Sequence, residues 1–356
     1  MGCIVTRSGR GLALIGLLLL GSPALALPRV LVVHSWHDIL WDRLWEQGLN
    51  SQLAARFELV RFDLDALRLA QPQLQQRVEQ AWTQYQTLAP ALVILGDDVA
   101  LRELGPRLSD TQTPVVYLGI NHNPRKYLSK TNGPHFTGII ERPLYERAIR
   151  QIAQLFPERS TRVLLLNDSQ PGEEDVTDLM RIFGGNPSAK IQGLTIDLKV
   201  TRSWEQWQQW VLSSAEDGYD VLLFDSRYRL RNQAGTYVEP EAGVVRWMSQ
   251  FSPLPLFSFY EDSVGPQLAV GGWVISGFDM GVAAGQLALE LLEGSSPEQQ
   301  RFPIFFDQAT YLFSQTQLDR WQIRLPDAIR AQAQFAEHLH PAYQFDCASY
   351  SASICY

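Results

Sequence analysis

Six short clusters hold the residues of this chain best suited to chemistry or recognition: Ser35-Trp36-His37, Asp97-Asp98, Asn121-His122, Asn167-Asp168, Asp225-Ser226-Arg227 and Tyr260-Glu261. Adjacent acids suggest acid–base work. That work needs two carboxylates converging on one bond, and sequence neighbours such as Asp97 and Asp98 usually diverge. One of them is better suited to accept hydrogen bonds from a ligand or to cap a helix. Arg227 offers a planar fork that matches a carboxylate, either a ligand's or that of Asp225 or Glu261. Trp36 sits in a loop and offers a ring face for stacking, and Trp273 follows Gly271-Gly272 within reach of the same region. Trp41 and Trp45 lie one helical turn apart and read as core. Trp204, Trp207 and Trp210 form a helix stripe packed on a sheet.

Other chemistries have no support. The chain lacks G-x-S-x-G, so the common serine hydrolases are excluded. It lacks G-x-x-x-x-G-K-[ST] and G-x-G-x-x-G, so nucleotide binding is unsupported. It lacks H-E-x-x-H and C-x-x-C, and the spacing of His338 and His340 splits them across a helix. Neither a metal nor an organic cofactor is expected. The formal charge is −8, with no Lys/Arg run, which excludes a nucleic-acid partner held through phosphates. Three cysteines are too few for a disulfide scaffold. Cys347 and Cys355 either close a small loop in the tail or stay as two thiols.

The clusters share a position. Each follows an apolar run: Arg29–Val33, Ala91–Leu95, Pro114–Leu118, Arg162–Leu166, Asp220–Phe224 and Leu256–Phe259. Ile191–Val200 suits a further strand. Helical patterns intervene over Trp41–Phe57, Leu144–Phe156 and the stretch capped by Ser203. Continuous apolar strands alternating with helices predict parallel sheets covered on both faces. The pattern restarts near Thr161, and 356 residues with 46% hydrophobic content suit two α/β, doubly wound, Rossmann-like lobes. Ligands of such sheets bind beyond the carboxyl ends of the strands. Facing lobes would therefore put all six clusters on one cleft.

Residues 1–26 read as a signal peptide. Arg7 and Arg10 precede the apolar run Gly11–Leu20, Pro23 breaks it, and Ala24-Leu25-Ala26 is a cleavage site. Cys3 lies ahead of the run, so it is not a lipoprotein cysteine. The expectation is a periplasmic chain, soluble after cleavage, with one cleft and complete as a monomer.

Four stretches together resemble the type I periplasmic binding proteins of the ABC-transporter substrate-binding family. They are Val33–His37 with Trp41 and Gly48; Gly96–Ala100; Pro114–Asn121 running on to Thr137–Glu141; and Gly271-Gly272 followed by Ser276, Asp279–Gly281, Ala284-Gly285 and Leu292–Gly294. The branch is the one related to sensor-kinase and diguanylate-cyclase input domains. The resemblance implies three crossover strands: near Thr137–Pro143, near Val270–Phe278, and over Arg301–Phe313. The first lobe would hold 27–139 and 273–300, the second 140–272 and 301–326, leaving 327–356 as a tail. Position by position, Ser35, Trp36, Asp97, Asn121 and Glu141 approach the ligand from the first lobe and hinge. Asp168, Asp225, Arg227 and Tyr260 approach it from the second; Asp98 and Trp273 complete the candidate set. The implied role is delivery of a small ligand to an ABC permease, with an aromatic amino acid, nucleobase or sugar fitting the aromatic residues. The alternative role is sensing, through the periplasmic domain of a membrane kinase or cyclase. An enzyme on the same scaffold would use Asp97 or Asp98 as base. Trp36 and Val99 replace the commoner tyrosine and asparagine, making the pocket more apolar.

Overall fold

A computed structural model describes residues 2, 26–128, 135–141, 144–157, 161–171, 173–294 and 304–338. The apolar run of the signal peptide, Cys347, Cys355 and His340 lie outside these residues. The strands are β1 (Arg29–His34), β2 (Glu58–Asp63), β3 (Leu92–Gly96), β4 (Val115–Ile120), β5 (Phe136–Glu141), β6 (Arg162–Asn167) and β7 (Ser188–Ile191). They continue with β8 (Leu194–Val200), β9 (Val221–Phe224), β10 (Leu256–Ser258), β11 (Gly271–Ile275), β12 (Ile304–Phe306), β13 (Ala309–Phe313) and β14 (Gln334–Phe335). One sheet runs β12-β5-β4-β3-β1-β2, all parallel. The other runs β14-β13-β11-β10-β9-β6-β8-β7 and is parallel except at β11/β13 and β7/β8.

The covering helices are α1 (Leu40–Leu53), α2 (Gln71–Leu88), α3 (Asp97–Leu108), α4 (Tyr145–Leu155), α5 (Glu174–Ile182), α6 (Trp204–Ser213), α7 (Arg246–Phe251), α8 (Gly277–Leu292) and α9 (Gln315–Trp321). Alternate side chains of each strand bury in opposite layers, as the two-residue period of a strand requires. Val30 and Val32 pack with Trp41, Trp45 and Met280 on one face, and Leu31 and Val33 with Leu74, Val78 and Leu101 on the other. In the second lobe Val163 and Leu165 face α4 and α5, whereas Leu164 and Leu166 face Trp207 and Met248. Ser203 caps α6 by accepting from Gln206 N at 3.2 Å, as its sequence position suggests.

The chain crosses between the lobes three times, and the strands shift the expected boundaries. β5 stays in the first sheet to its last residue, Glu141. β11, with Trp273, belongs to the second sheet, because it pairs with β10 and β13. The return to the first lobe comes only at α8. There Gly281 is indispensable: a Cβ on it would lie 1.9 Å from Trp45 O. β12 joins the first sheet beside β5, although 301–326 was expected in the second lobe. The third crossing is the two-residue step from Phe306 to Ala309. The expected tail is also corrected: β14 pairs with β13, Ile329 is buried, and Glu337 accepts from Ser314 Oγ at 2.6 Å at the start of α9. Residues 327–338 therefore complete the second lobe. β2 carries no continuous apolar run in its ELVRFD sequence, because it lies half-exposed at the sheet edge.

Candidate functional site

The carboxyl ends of the two sheets meet across a cleft of about 340 Å³. Trp36, Asp97, Asp98, Asn121 and Glu141 line it from the first sheet, and Asp225 and Tyr260 from the second. Residues that the sequence did not single out for the cleft complete it. Trp41 buries in the core and still presents an edge to the cleft, meeting Tyr260 edge-on at 5.7 Å between ring centres. Tyr145 opens α4, Tyr228, Arg229 and Arg231 follow β9, and Tyr127 follows β4; His122, expected there beside Asn121, also lines it.

Four of the expected ligand residues do other work. Ser35 is fully buried, donates to Gly96 O at 2.6 Å and accepts from Ala100 N at 2.8 Å, so it ties β1 to the first turn of α3. Asp168 is fully buried and accepts from the Arg229 backbone N at 2.5 Å and from its Nε at 3.3 Å. It aims Arg229 and does not line the cleft. Arg227 is also fully buried; its guanidinium donates to Asp262 at 2.6 Å and lies over the Tyr228 ring. Asp262, which the sequence did not point to, thus holds it with the hydrogen bond and ion pair seen here. Trp273 packs against Tyr311 at 4.5 Å on the second sheet, away from the cleft.

The adjacent acids diverge. Asp98 turns to the loop after β4 and accepts from Asn121 N at 2.9 Å and His122 N at 3.2 Å, with the His122 ring beside it, Nδ1 3.1 Å from Oδ1. Asp97 begins α3 with φ at +66°, a left-handed conformation that costs a residue with a Cβ. Gly119 in β4 faces its carboxyl, and its own φ of +70° is what favours glycine there. Asp225 accepts from Tyr145 Oη at 2.9 Å and Asn167 Nδ2 at 3.0 Å. Two carboxylates poised on one bond are therefore not what Asp97 and Asp98 make.

Burial dominates the electrostatics. It pushes the Asp97 carboxyl well above the usual carboxylate range; repulsion from Asp42, Glu141 and Asp98 adds to it, and a hydrogen bond from Trp36 only partly offsets it. Burial likewise raises Glu141, against a hydrogen bond from Tyr260 and with repulsion from Asp98, Asp225 and Asp262. The Tyr260 hydroxyl is raised by burial and by the Glu141 and Asp225 charges. Across the cleft mouth, Arg68 pairs with Glu239 at 2.9 Å and Arg231 donates to Leu67 O, with Tyr237 between the two guanidiniums. These contacts join the lobes. Among the described residues no group of three or more His, Cys, Asp or Glu suits a metal ion, and no helix is long and apolar enough to cross a membrane.

No family model and no curated protein matches the chain. Solved structures do. One is an ABC domain from Streptococcus pneumonia in complex with L-Trp: 17% identity, 87% of this chain and 99% of that one, TM-score 0.61. Another is a ligand-free, open substrate-binding protein with adhesive properties from Clostridium difficile: 13% identity, 87% and 99%, TM-score 0.62. A third is a complex of the TorS sensor domain with TorT without ligand: 12% identity, 78% and 89%, TM-score 0.51. The chain has a fold like that of the type I periplasmic binding proteins, two lobes facing one cleft.

Proposed function

We propose that this is an exported solute-binding protein that closes two lobes on a small ligand and presents the closed form to an ABC permease. The observation that carries the reading is the cleft itself: about 340 Å³ at the strand ends of both sheets, walled by aromatic rings and buried acids. That volume suits a small molecule. In this reading the protein acts by binding, and Asp98, occupied by its own loop, serves structure. Closure is a hinge motion at the three crossings. The L-Trp held by one structural neighbour supports an aromatic amino acid as a first ligand to try.

A second reading keeps the binding and changes the listener. The TorS–TorT complex supports a role in which the liganded protein engages the periplasmic domain of a membrane sensor.

The test is thermal unfolding of protein refolded from denaturant, against amino acids, nucleobases, sugars and small carboxylates. A ligand at 100 times its dissociation constant stabilises by about 2.7 kcal/mol, and each kcal/mol moves the midpoint by roughly 2–4 °C. Compaction in solution scattering should accompany the shift. Silence across the panel, with no ligand extracted from the protein as purified, refutes the reading. Capture of a permease or of a sensor domain by the liganded form then decides between the two roles.

A further inference from the structure

We infer that the cleft recognises its ligand by an ammonium group, seated between the open carboxylate oxygens of Asp97 and Glu141 and walled by Trp36, Trp41 and Tyr260. This rests on the small-ligand reading above and names the chemistry of that ligand.

Four acids line the cleft, and two of them are already occupied. Asp98 holds the loop after β4, and Asp225 holds Tyr145 and Asn167. Asp97 and Glu141 differ. They are only 6% and 3% exposed, and Asp97 Oδ2 and Glu141 Oε2 are buried with no hydrogen-bond donor from the protein. One aromatic side chain acts on each carboxyl to favour its charged form, Trp36 on Asp97 and Tyr260 on Glu141. One oxygen of each is left over, on the same cleft. Buried acceptors without donors are rare and costly, and a built pair of them points to a ligand that supplies donors.

The charge narrows the class. Asp97 feels repulsion from Asp42, Glu141 and Asp98. Glu141 feels it from Asp98, Asp225 and Asp262. A hydroxyl or amide would satisfy the oxygens and leave the repulsion. An ammonium brings three donors and a positive charge, answering both. The guanidiniums that line the cleft are paired: Arg229 with Asp168 and Ser169, Arg231 with Leu67 O, and Arg102 with Glu103 at 2.9 Å. Charge selection thus falls to the acids. A bare metal ion fits less well, because its other ligands are missing among the described residues and the cleft has room for an organic body.

The test compares cations with anions on the same rings. Full-length protein, refolded from denaturant to strip carried ligand, is titrated calorimetrically with tryptamine and phenethylamine, and with indole-3-propionate and 3-phenylpropionate. At least one amine should bind tenfold or more tightly than its acid. Asp97→Asn and Glu141→Gln should each weaken that amine at least tenfold, in protein whose thermal unfolding shows it folded. An acid binding as tightly as its amine, unaltered affinity in both variants, or no binding of either amine overturns the inference. The two readings fail separately. Acids or neutral ligands bound in the cleft leave a solute-binding protein without the ammonium site, whereas silence to every class of small molecule removes both.

Discussion

The two walls of the cleft place acids at equivalent strand ends and finish them differently. In the second lobe three of these acids are held by the protein: Asp168 by Arg229, Asp225 by Tyr145 and Asn167, Asp262 by Arg227 and Tyr228. In the first lobe and its hinge strand, Asp97 and Glu141 each keep a buried oxygen unanswered, and Asp97 also sits in a left-handed backbone conformation. One wall is a finished structure. The other is finished only by something from outside, at a cost to the empty protein. The same fold therefore divides its labour, with rigidity on one side and recognition on the other.

The sharpest attempt to break this contrast is Arg227→Met. It leaves the Asp262 carboxylate buried without its ion partner, a loss of about 3–5 kcal/mol, at the lower end because Tyr228 still donates. At roughly 2–4 °C per kcal/mol, calorimetry should record a large fall in the unfolding midpoint, and an unchanged one would show that the second wall is not self-supporting. Next comes a matched pair of isosteric changes. Asp168→Asn should lower the midpoint, losing a charge-assisted bond worth about 1.5–3 kcal/mol. Asp97→Asn should raise it in ligand-free protein near neutral pH, because it removes the cost of keeping a buried, repelled carboxyl protonated, and because asparagine tolerates positive φ better. Shifts of the same sign would erase the distinction.

A smaller effect follows from pH. Asp97 and Glu141 keep their protons in the folded chain at pH values where the unfolded chain has lost them. Their contribution is thus most favourable at or below the ordinary carboxylate range of about 4 and is lost as pH rises toward the folded values. Urea titrations should show ligand-free protein losing stability over that rise, and the Asp97→Asn/Glu141→Gln double variant should flatten the slope. Affinity for a cationic ligand should move the opposite way, strengthening as the carboxyls ionise. The smallest effect is at the mouth. The Arg68–Glu239 pair is partly exposed and worth about 0–1 kcal/mol. A double-mutant cycle on it should return a coupling within that range, weakened by salt, with scattering reporting a slightly more open average.

Much of this was legible in the sequence because strand cores and strand ends write different signals. The continuous apolar runs of β1, β3, β4, β6 and β9 announced buried parallel strands, and the polar residues after them fell on the cleft wall at Trp36, Asp97, Asp98, Asn121, Glu141, Asp225 and Tyr260. What sequence could not supply was direction. Whether Arg227 or Arg229 faces the cleft depends on which neighbouring acid takes the guanidinium, and Asp262 and Asp168 come from distant strand ends. Ser35 looked like a ligand residue because its role as a tie needs Gly96 and Ala100, which only the sheet brings beside it. Short or half-exposed strands such as β2, β12 and β14 carry too few apolar residues to register, and the lobe boundaries moved with them.

The late return of α8 and β12 to the first sheet has a kinetic consequence. Trp45 in α1 and Gly281 in α8 must touch, yet the whole of the second lobe up to β11 is threaded between them. Neither half of the molecule is a contiguous stretch of chain, so neither can complete its core while the other is still being made. Closing so long an intervening loop carries an entropic penalty before its contacts reward it. The second lobe, interrupted only near its end, can gather most of its strands first. The recognition wall would then be the last part of the protein to become rigid.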